Sequence, residues 1–453
     1  MKKVLLLSVL ALLASAVMAQ QETFKFRVTL KDKGETTYSL KRPAKFLSKA
    51  ALERRKRQDL PVDSTDLPVC QSYVQRIAAT GVRIVVQGKW NNFVTVATND
   101  SLLAGEIAAL PFVKEVEQVW KRPADGRYKS DRRTPLENRV LLHPDSLYGT
   151  AVTQIQLSNA HKLHEAGFRG QGMTIGVIDA GFHNVDSILS MQNIRILGTR
   201  DFVCPEEADI YAESDHGLGV LSCIGMNRPN EMVGTAPEAS FWLLRSEDEY
   251  SENLVEQDYW CAAVEFADSV GVDVLNTSLG YYEFDDKSKN YEFRHLDGHY
   301  ALMSRQASLI ADKGMLLVCS AGNAGMGPWK KITPPGDADN VVTVGAVARN
   351  GRLAPFSSIG NTADGRVKPD VVAVGLASSV VRANGNQGYA SGTSFSSPIM
   401  CGMVACLWQA CPKLTAKEII ELVRRSGNRA EYPDNIYGYG IPDMWKAYEM
   451  SKE

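Results

Sequence analysis

Gly388-Tyr389-Ala390-Ser391-Gly392-Thr393-Ser394-Phe395-Ser396-Ser397-Pro398 runs directly into an apolar stretch that ends near residue 409. Small residues, a hydroxyl-rich turn and then an apolar run predict a helix over 393–409 with Ser394 in its first turn. The first N–H groups of a helix lack partners inside it and carry the positive end of its dipole. A serine at that point has its own N–H free to bind a developing oxyanion. The plain alternative is a serine N-cap, and the segment by itself is compatible with both.

Three upstream segments change that balance. Gly176-Val177-Ile178-Asp179-Ala180-Gly181 reads as a strand ending in a carboxylate, and sites in open α/β sheets lie at the carboxyl ends of strands. Ser214-Asp215-His216-Gly217-Leu218-Gly219-Val220-Leu221-Ser222 reads as the start of a buried helix whose glycines let other groups approach closely. Ser320-Ala321-Gly322-Asn323-Ala324-Gly325 follows a strand expected at 315–318 and presents an amide where that strand ends. Each has an ordinary structural explanation: a turn former, a structural histidine, an Asn-Gly turn. Together they supply what an activated serine needs. A hydroxyl is a weak nucleophile at neutral pH, so it requires a base, and the base requires an orienting carboxylate. The tetrahedral intermediate then requires donors aimed at its oxygen. Ser394, His216, Asp179 and Asn323 are one candidate for each requirement.

Around these segments, from about residue 148 onward, short apolar strands alternate with helices. Strands are expected at 174–178, 240–244, 273–275, 315–318 and 341–344, and helices at 254–269, 300–313 and 415–426. Strands without internal polar alternation are buried on both faces, which predicts an α/β domain with a parallel sheet between two helical layers.

The four segments, in the order Asp, His, Asn, Ser, resemble the subtilisin family of serine peptidases (subtilases) over roughly residues 150–450; the Asp-His-Ser order is that of subtilisin. The resemblance implies a subtilisin-like, three-layer peptidase domain over 148–453. In it Asp179 orients, His216 is general base and then acid, Ser394 attacks, and Asn323 with the Ser394 N–H forms the oxyanion hole. Asn276-Thr277-Ser278-Leu279-Gly280 matches the family's substrate-binding edge strand, which pairs with the peptide backbone. Ser278, Leu279 and Gly280 would then face Ser320, Ala321 and Gly322 across the primary specificity pocket. Tyr148-Gly149 and the Phe284-Asp285-Asp286 insert resemble secreted subtilases of Bacteroidetes-type bacteria in detail. Two departures stand out: Gly219 where many members have a second histidine, and Phe395 where methionine is common. The resemblance implies that no cofactor is required for catalysis. Structural calcium is frequent in the family; Asp285, Asp286 and Asp297 offer oxygens, but no D-x-D-x-D-G loop is present, so metal ligands are unassigned. Glu283, Asp285 and Asp286 suggest a preference for basic substrates. The rival readings are a catalytically silent binding protein on the same fold, and a peptide ligase using the same acyl-enzyme.

The chain has 453 residues, enough for two folded units. Lys2 and Lys3 precede an apolar run, and Val17-Met18-Ala19 before Gln20 reads as a signal-peptidase site. The run is short for a spanning helix, so removal of 1–19 and a secreted or periplasmic location are expected. Residues 20–120 read as β-α-β-β-α-β with one extra helix, a small ferredoxin-like α+β unit. The resemblance makes it a propeptide, an intramolecular inhibitor that also assists folding. Residues 121–147 are polar and rich in breakers, a linker with a processing site. The basic run at 41–57 lacks interleaved aromatics and reads as a solvated helix face. With a net charge of −2 nothing points to nucleic acid as a partner; polypeptide substrates are the expected ones. Of eight cysteines, Cys319, Cys401 and Cys406 read as core residues, and none has metal spacing.

Overall fold

The computed structural model describes residues 23–122, 133–143, 145–206 and 209–453. The expected signal segment lies outside them, as do residues 123–132 of the linker.

The first unit contains β1 (Phe24–Leu30), α1 (Lys49–Arg57), α2 (Gln71–Ala78), β2 (Arg83–Gly88), β3 (Phe93–Thr98), α3 (Leu103–Ala108) and β4 (Val113–Lys121). Its sheet is antiparallel in the order β2-β3-β1-β4. This is the ferredoxin-like arrangement with the extra helix. Its own core joins Val28, Val94 and Val96 of the sheet to Ile77 and Ile107 of the helices.

The second unit continues with α4 (Val152–Gln156), α5 (Ala160–Glu165), β5 (Thr174–Asp179), β6 (Arg195–Asp201), α6 (His216–Gly225), a short β7–β8 pair (Asn227–Arg228, Met232–Val233), β9 (Ser240–Arg245) and α7 (Val255–Val270). Then come β10 (Val274–Thr277), α8 (Leu302–Ile310), β11 (Leu316–Ser320), β12 (Val342–Val347), β13 (Val371–Val374), the hairpin β14–β15 (Ser378–Val381, Gln387–Ala390), α9 (Thr393–Ala410), α10 (Ala416–Arg425) and α11 (Met444–Met450). Seven strands form one parallel sheet in the order β13-β12-β11-β10-β5-β9-β6. Because strand side chains alternate between faces, Leu316 and Val318 join the core under α6 and α9, whereas Leu317 and Cys319 join the core under α7 and α8. That alternation makes the three layers. The two edge strands, β6 and β13, escaped the sequence reading. β6 is largely exposed or half-buried and carries three charged residues, and β13 is four residues long, so neither shows a distinctive period.

The basic run at 41–57 is solvated only in part: Lys41, Arg42, Lys45, Lys49, Lys56 and Arg57 are exposed, but two of its arginines are not. Arg54 and Arg55 on α1 are each 1% exposed. Arg54 reaches Asp268 of α7 at 2.5 Å, and Arg55 bridges Asp66 at 2.8 Å and Asp268 at 3.0 Å. A buried guanidinium is tolerable only when paired, and here the pairing carboxylate belongs to the other unit. Nothing in the local charge pattern of α1 marks a partner more than two hundred residues away. The same interface seats the Lys89 and Trp90 N–H groups on the Glu265 carboxylate at 2.6 and 2.9 Å.

Candidate active site

In a parallel sheet every strand ends on the same edge. Ile178 on β5 lies beside Thr277 on β10, and Thr277 lies beside Cys319 on β11. The residues just past these strands are therefore neighbours: Asp179, then Ser278 to Gly280, then Ser320 to Asn323.

Asp179 closes β5 and is fully buried. Its Oδ1 accepts from the Ala180 N–H at 2.8 Å and lies 2.7 Å from His216 Nδ1. Its Oδ2 has no hydrogen-bond partner among the described residues. A carboxylate on Nδ1 keeps the proton there and leaves the Nε2 lone pair for chemistry. His216 opens α6, where the Ser214 hydroxyl accepts from its backbone N–H at 3.2 Å and itself donates to Glu249. Burial opposes charging of the imidazole, but Asp179, with Glu247 and Glu249 behind it, outweighs burial and raises His216 to about 9. The Phe395 ring packs beside the imidazole, centroids 5.8 Å apart. A Cβ on Gly219 would come within 3.2 Å of that ring. The two departures noted in the sequence are therefore one packing feature: a small residue makes room for a large one.

Ser394 is the second residue of α9. Its hydroxyl donates to the Ser278 carbonyl at 3.3 Å, and the Ser278 hydroxyl donates to the Ser394 carbonyl at 2.8 Å. Asn276 braces this pair, donating to Ser278 Oγ at 3.1 Å and accepting from Ser397 Oγ at 2.7 Å. No hydrogen bond among the described residues joins Ser394 Oγ to His216, yet both line one cavity of about 440 Å³. Asn323 lines it too. Its Oδ1 accepts from the Thr393 N–H at 2.8 Å and the Thr393 hydroxyl at 3.0 Å. A backbone N–H can only donate, so the oxygen end must face Thr393, which leaves the NH2 end for the cavity.

Ser278, Leu279, Gly280, Ser320 and Gly322 line the same cavity. Ala321 does not. It is fully buried, with its N–H on the Val344 carbonyl and its own carbonyl accepting from Thr333. It backs the wall instead of forming it, because strand alternation turns its side chain away from the space that Ser320 and Gly322 face.

The sequence reading missed Glu247, Glu249, Glu252 and Thr333, all on the cavity wall. The available signal was the acidic run Glu247-Asp248-Glu249-Tyr250-Ser251-Glu252 after β9. Burial first, then repulsion from Asp179 and Glu252, raises Glu247 to about 8; burial and Asp285 raise Glu252 to about 7. Of the acidic residues expected to act in recognition or as calcium oxygens, Asp285, Asp286 and Asp297 hold neighbouring groups of the chain. Asp285 accepts from the Glu252 N–H and Asn253 side chain, both at 3.2 Å. Asp286 accepts from the Ser288 N–H at 3.0 Å. Glu283 borders an adjacent hollow. Asp297 accepts from two backbone N–H groups. Among the described residues no group of three or more His, Cys, Asp or Glu side chains is arranged to hold a metal ion.

Both described ends of the linker rest on the peptidase unit. Trp120, Lys121 and Arg122 border a hollow with Asn253, Leu254 and Asp285. The chain reappears at Arg133, which forks to Asp186 at 2.8 Å and Asp209 at 2.9 Å. The next N–H, of Thr134, donates to His183.

Comparison with known proteins finds matches to both units of the chain. A family model described as "Subtilase family" matches residues 170–440, and one described as "Peptidase S8 propeptide domain, Bacteroidota" matches residues 25–134. The chain is similar to "Serine protease AprX" of Bacillus subtilis (strain 168), 27% identical over 301 residues, covering 60% of this chain and 65% of that protein. It is similar to "Subtilisin NAT" of Bacillus subtilis subsp. natto, 28% identical, covering 64% and 68%. "Subtilisin DY" of Bacillus licheniformis is also 28% identical, covering 63% and 93%. No helix among the described residues is long and apolar enough to cross a membrane.

Proposed function

Since this chain belongs to the subtilase family and is by that membership a serine-type endopeptidase with a propeptide domain, we propose that it hydrolyses polypeptides through an acyl-enzyme on Ser394. The observation that carries this reading is the convergence of the Asp179–His216 pair, Ser394 and the Asn323 amide on one cavity. His216 Nε2 takes the Ser394 proton as Oγ, swung from the Ser278 carbonyl, attacks the scissile carbonyl. His216 then gives that proton to the leaving amine. Water repeats the sequence on the acyl-enzyme and frees the acid product. Asp179 holds the imidazole and stabilises its charged form. The Asn323 Nδ2 and the Ser394 N–H, at the positive end of an 18-residue helix, stabilise the oxyanion. The apolar run from Val4 to Val17, preceded by two lysines, supports export, so the location is secreted or periplasmic; the mature protein recovered only from cytoplasm would refute that.

A fluorophosphonate reacts only with an activated serine. It should label Ser394 in the processed protein, and failure to label would favour the silent binding protein. Hydrolysed rather than joined peptide products separate the peptidase from a ligase.

His216 must be neutral to act as base. With its pKa raised to about 9, kcat/KM should climb about tenfold per pH unit below that value and level off above it. Glu247, once ionised, helps hold the proton on His216. Glu247→Gln should therefore shift the limb to lower pH. A pH profile unmoved by this substitution would contradict the assignment.

A further inference from the structure

The space between the two cavity walls ends on a buried hydroxyl. Thr333 is 4% exposed and lines the cavity, and its Oγ1 has no hydrogen-bond partner among the described residues. It stands between the walls: a Cβ on Gly280 would lie 2.2 Å from Oγ1, and one on Gly322 would lie 3.0 Å from it. Thr333 is fixed from behind, its N–H on the Ala321 carbonyl at 3.2 Å and its carbonyl accepting from the Gly336 N–H at 2.8 Å. The atoms that a Cβ on either glycine would meet first belong to Thr333, Pro334 and Ser358, none of them ionisable.

Resting on the reading of this cavity as the peptidase site, the geometry points to Thr333 as the residue that decides which side chain is accepted immediately before the scissile bond: short and uncharged, alanine or serine. Without side chains at Gly280 and Gly322 the slot would be open, but the threonine side chain occupies the depth that an aromatic or long aliphatic group needs. A well-packed wall does not yield to extra volume cheaply. The unpaired hydroxyl adds a chemical preference. A buried polar group without a partner is destabilising, and a substrate that supplies the partner gains over one that does not. Serine brings both a donor and an acceptor within a short side chain.

The test is a peptide set identical except before the scissile bond, where Ala, Ser, Leu, Phe or Arg is placed. kcat/KM is measured for the wild type, Thr333→Gly and Thr333→Val, each normalised by fluorophosphonate titration of active sites. The wild type should cut after Ser and Ala at least about tenfold better than after Leu, Phe or Arg. Thr333→Gly should raise the Phe-to-Ala ratio about tenfold or more, and Thr333→Val should lower the Ser-to-Ala ratio severalfold. Fully titrating wild type that prefers Phe, Leu or Arg overturns the role of Thr333. So does a fully titrating Thr333→Gly with an unchanged profile. If Thr333→Gly does not fold, the wild-type profile and the near-isosteric Thr333→Val decide. A wild type that neither titrates nor cleaves any peptide overturns the peptidase reading itself, and Thr333 with it.

Discussion

Replacing Ser394 by alanine should lower peptide hydrolysis by about six orders of magnitude, the loss found on removing the nucleophilic serine of a subtilisin. The substitution costs the fold little. Ser394 Oγ makes one long bond, 3.3 Å to the Ser278 carbonyl, while the Ser278 hydroxyl still bonds the Ser394 carbonyl. Asp179 and His216 stay paired, because neither depends on Oγ. The loss is therefore chemical, and circular dichroism and thermal unfolding should match the wild type. A second readout comes from the chain itself. The linker leaves the propeptide unit at a hollow shared with Asn253 and Asp285, and is again described at Arg133, one residue before the Thr134 bond to His183. If the protein processes itself, the wild type shortens between these points and Ser394→Ala stays full length. Equal shortening of both assigns maturation to another peptidase. Hydrolysis retained above a percent by the pure variant would remove Ser394 from its role.

Arg55→Ala should weaken the hold of the propeptide unit on the peptidase unit by about 3 kcal/mol, roughly a hundredfold in affinity. The reason is the charges left behind. Arg55 links Asp66 of its own unit to Asp268 of α7, and both carboxylates are fully buried. Desolvation opposes ionisation of Asp268, but Arg54, Lys89 and Arg55 together keep its pKa below the ordinary value. Without Arg55, Asp66 keeps Lys313 at 3.3 Å and Asp268 keeps Arg54, but one cation fewer neutralises the same buried charge. Arg55 lies outside the peptidase domain, so the mature enzyme is identical in wild type and variant. The expected result is an inhibition constant about a hundredfold higher for the variant propeptide unit added back to mature enzyme, with a shorter lag before activity in the full chain. An unchanged constant would mean that the apolar seat of Trp90, Phe93 and Val119 on the core under α7 carries the contact.

Much of the arrangement is legible in one dimension. Apolar strands without alternation announce a covered parallel sheet, and the β10 and β11 strands lie within a few residues of expectation. The catalytic candidates are legible because each sits at a strand end or helix start, positions marked by glycines and small residues on either side. What is not legible is pairing across distance. Arg54 and Arg55 look like surface charges until Asp268 is beside them. Gly219 and Phe395 look like separate oddities until they touch. Glu283, Asp285 and Asp286 attract notice as a local cluster, yet the carboxylates on the cavity come from the loop after β9. Ala321 falls on the wrong side of its strand for a pocket wall.

Periodicity, turn chemistry and helix-start signals are local, carried by neighbours in the chain, so the order of residues suffices to place Ser394 at the head of a helix and Asp179 at the foot of a strand. Which groups then meet depends on sheet order, and that is settled by packing between remote segments. β5 lies between β10 and β9, and the parallel register brings their ends to one edge. Only that edge joins Asp179, His216, Asn323 and Ser394 around one space, and only folding sets Thr333 between two glycines from other segments. The chemistry is written in residue types near chain signals; the selectivity is a property of distances the chain does not encode locally.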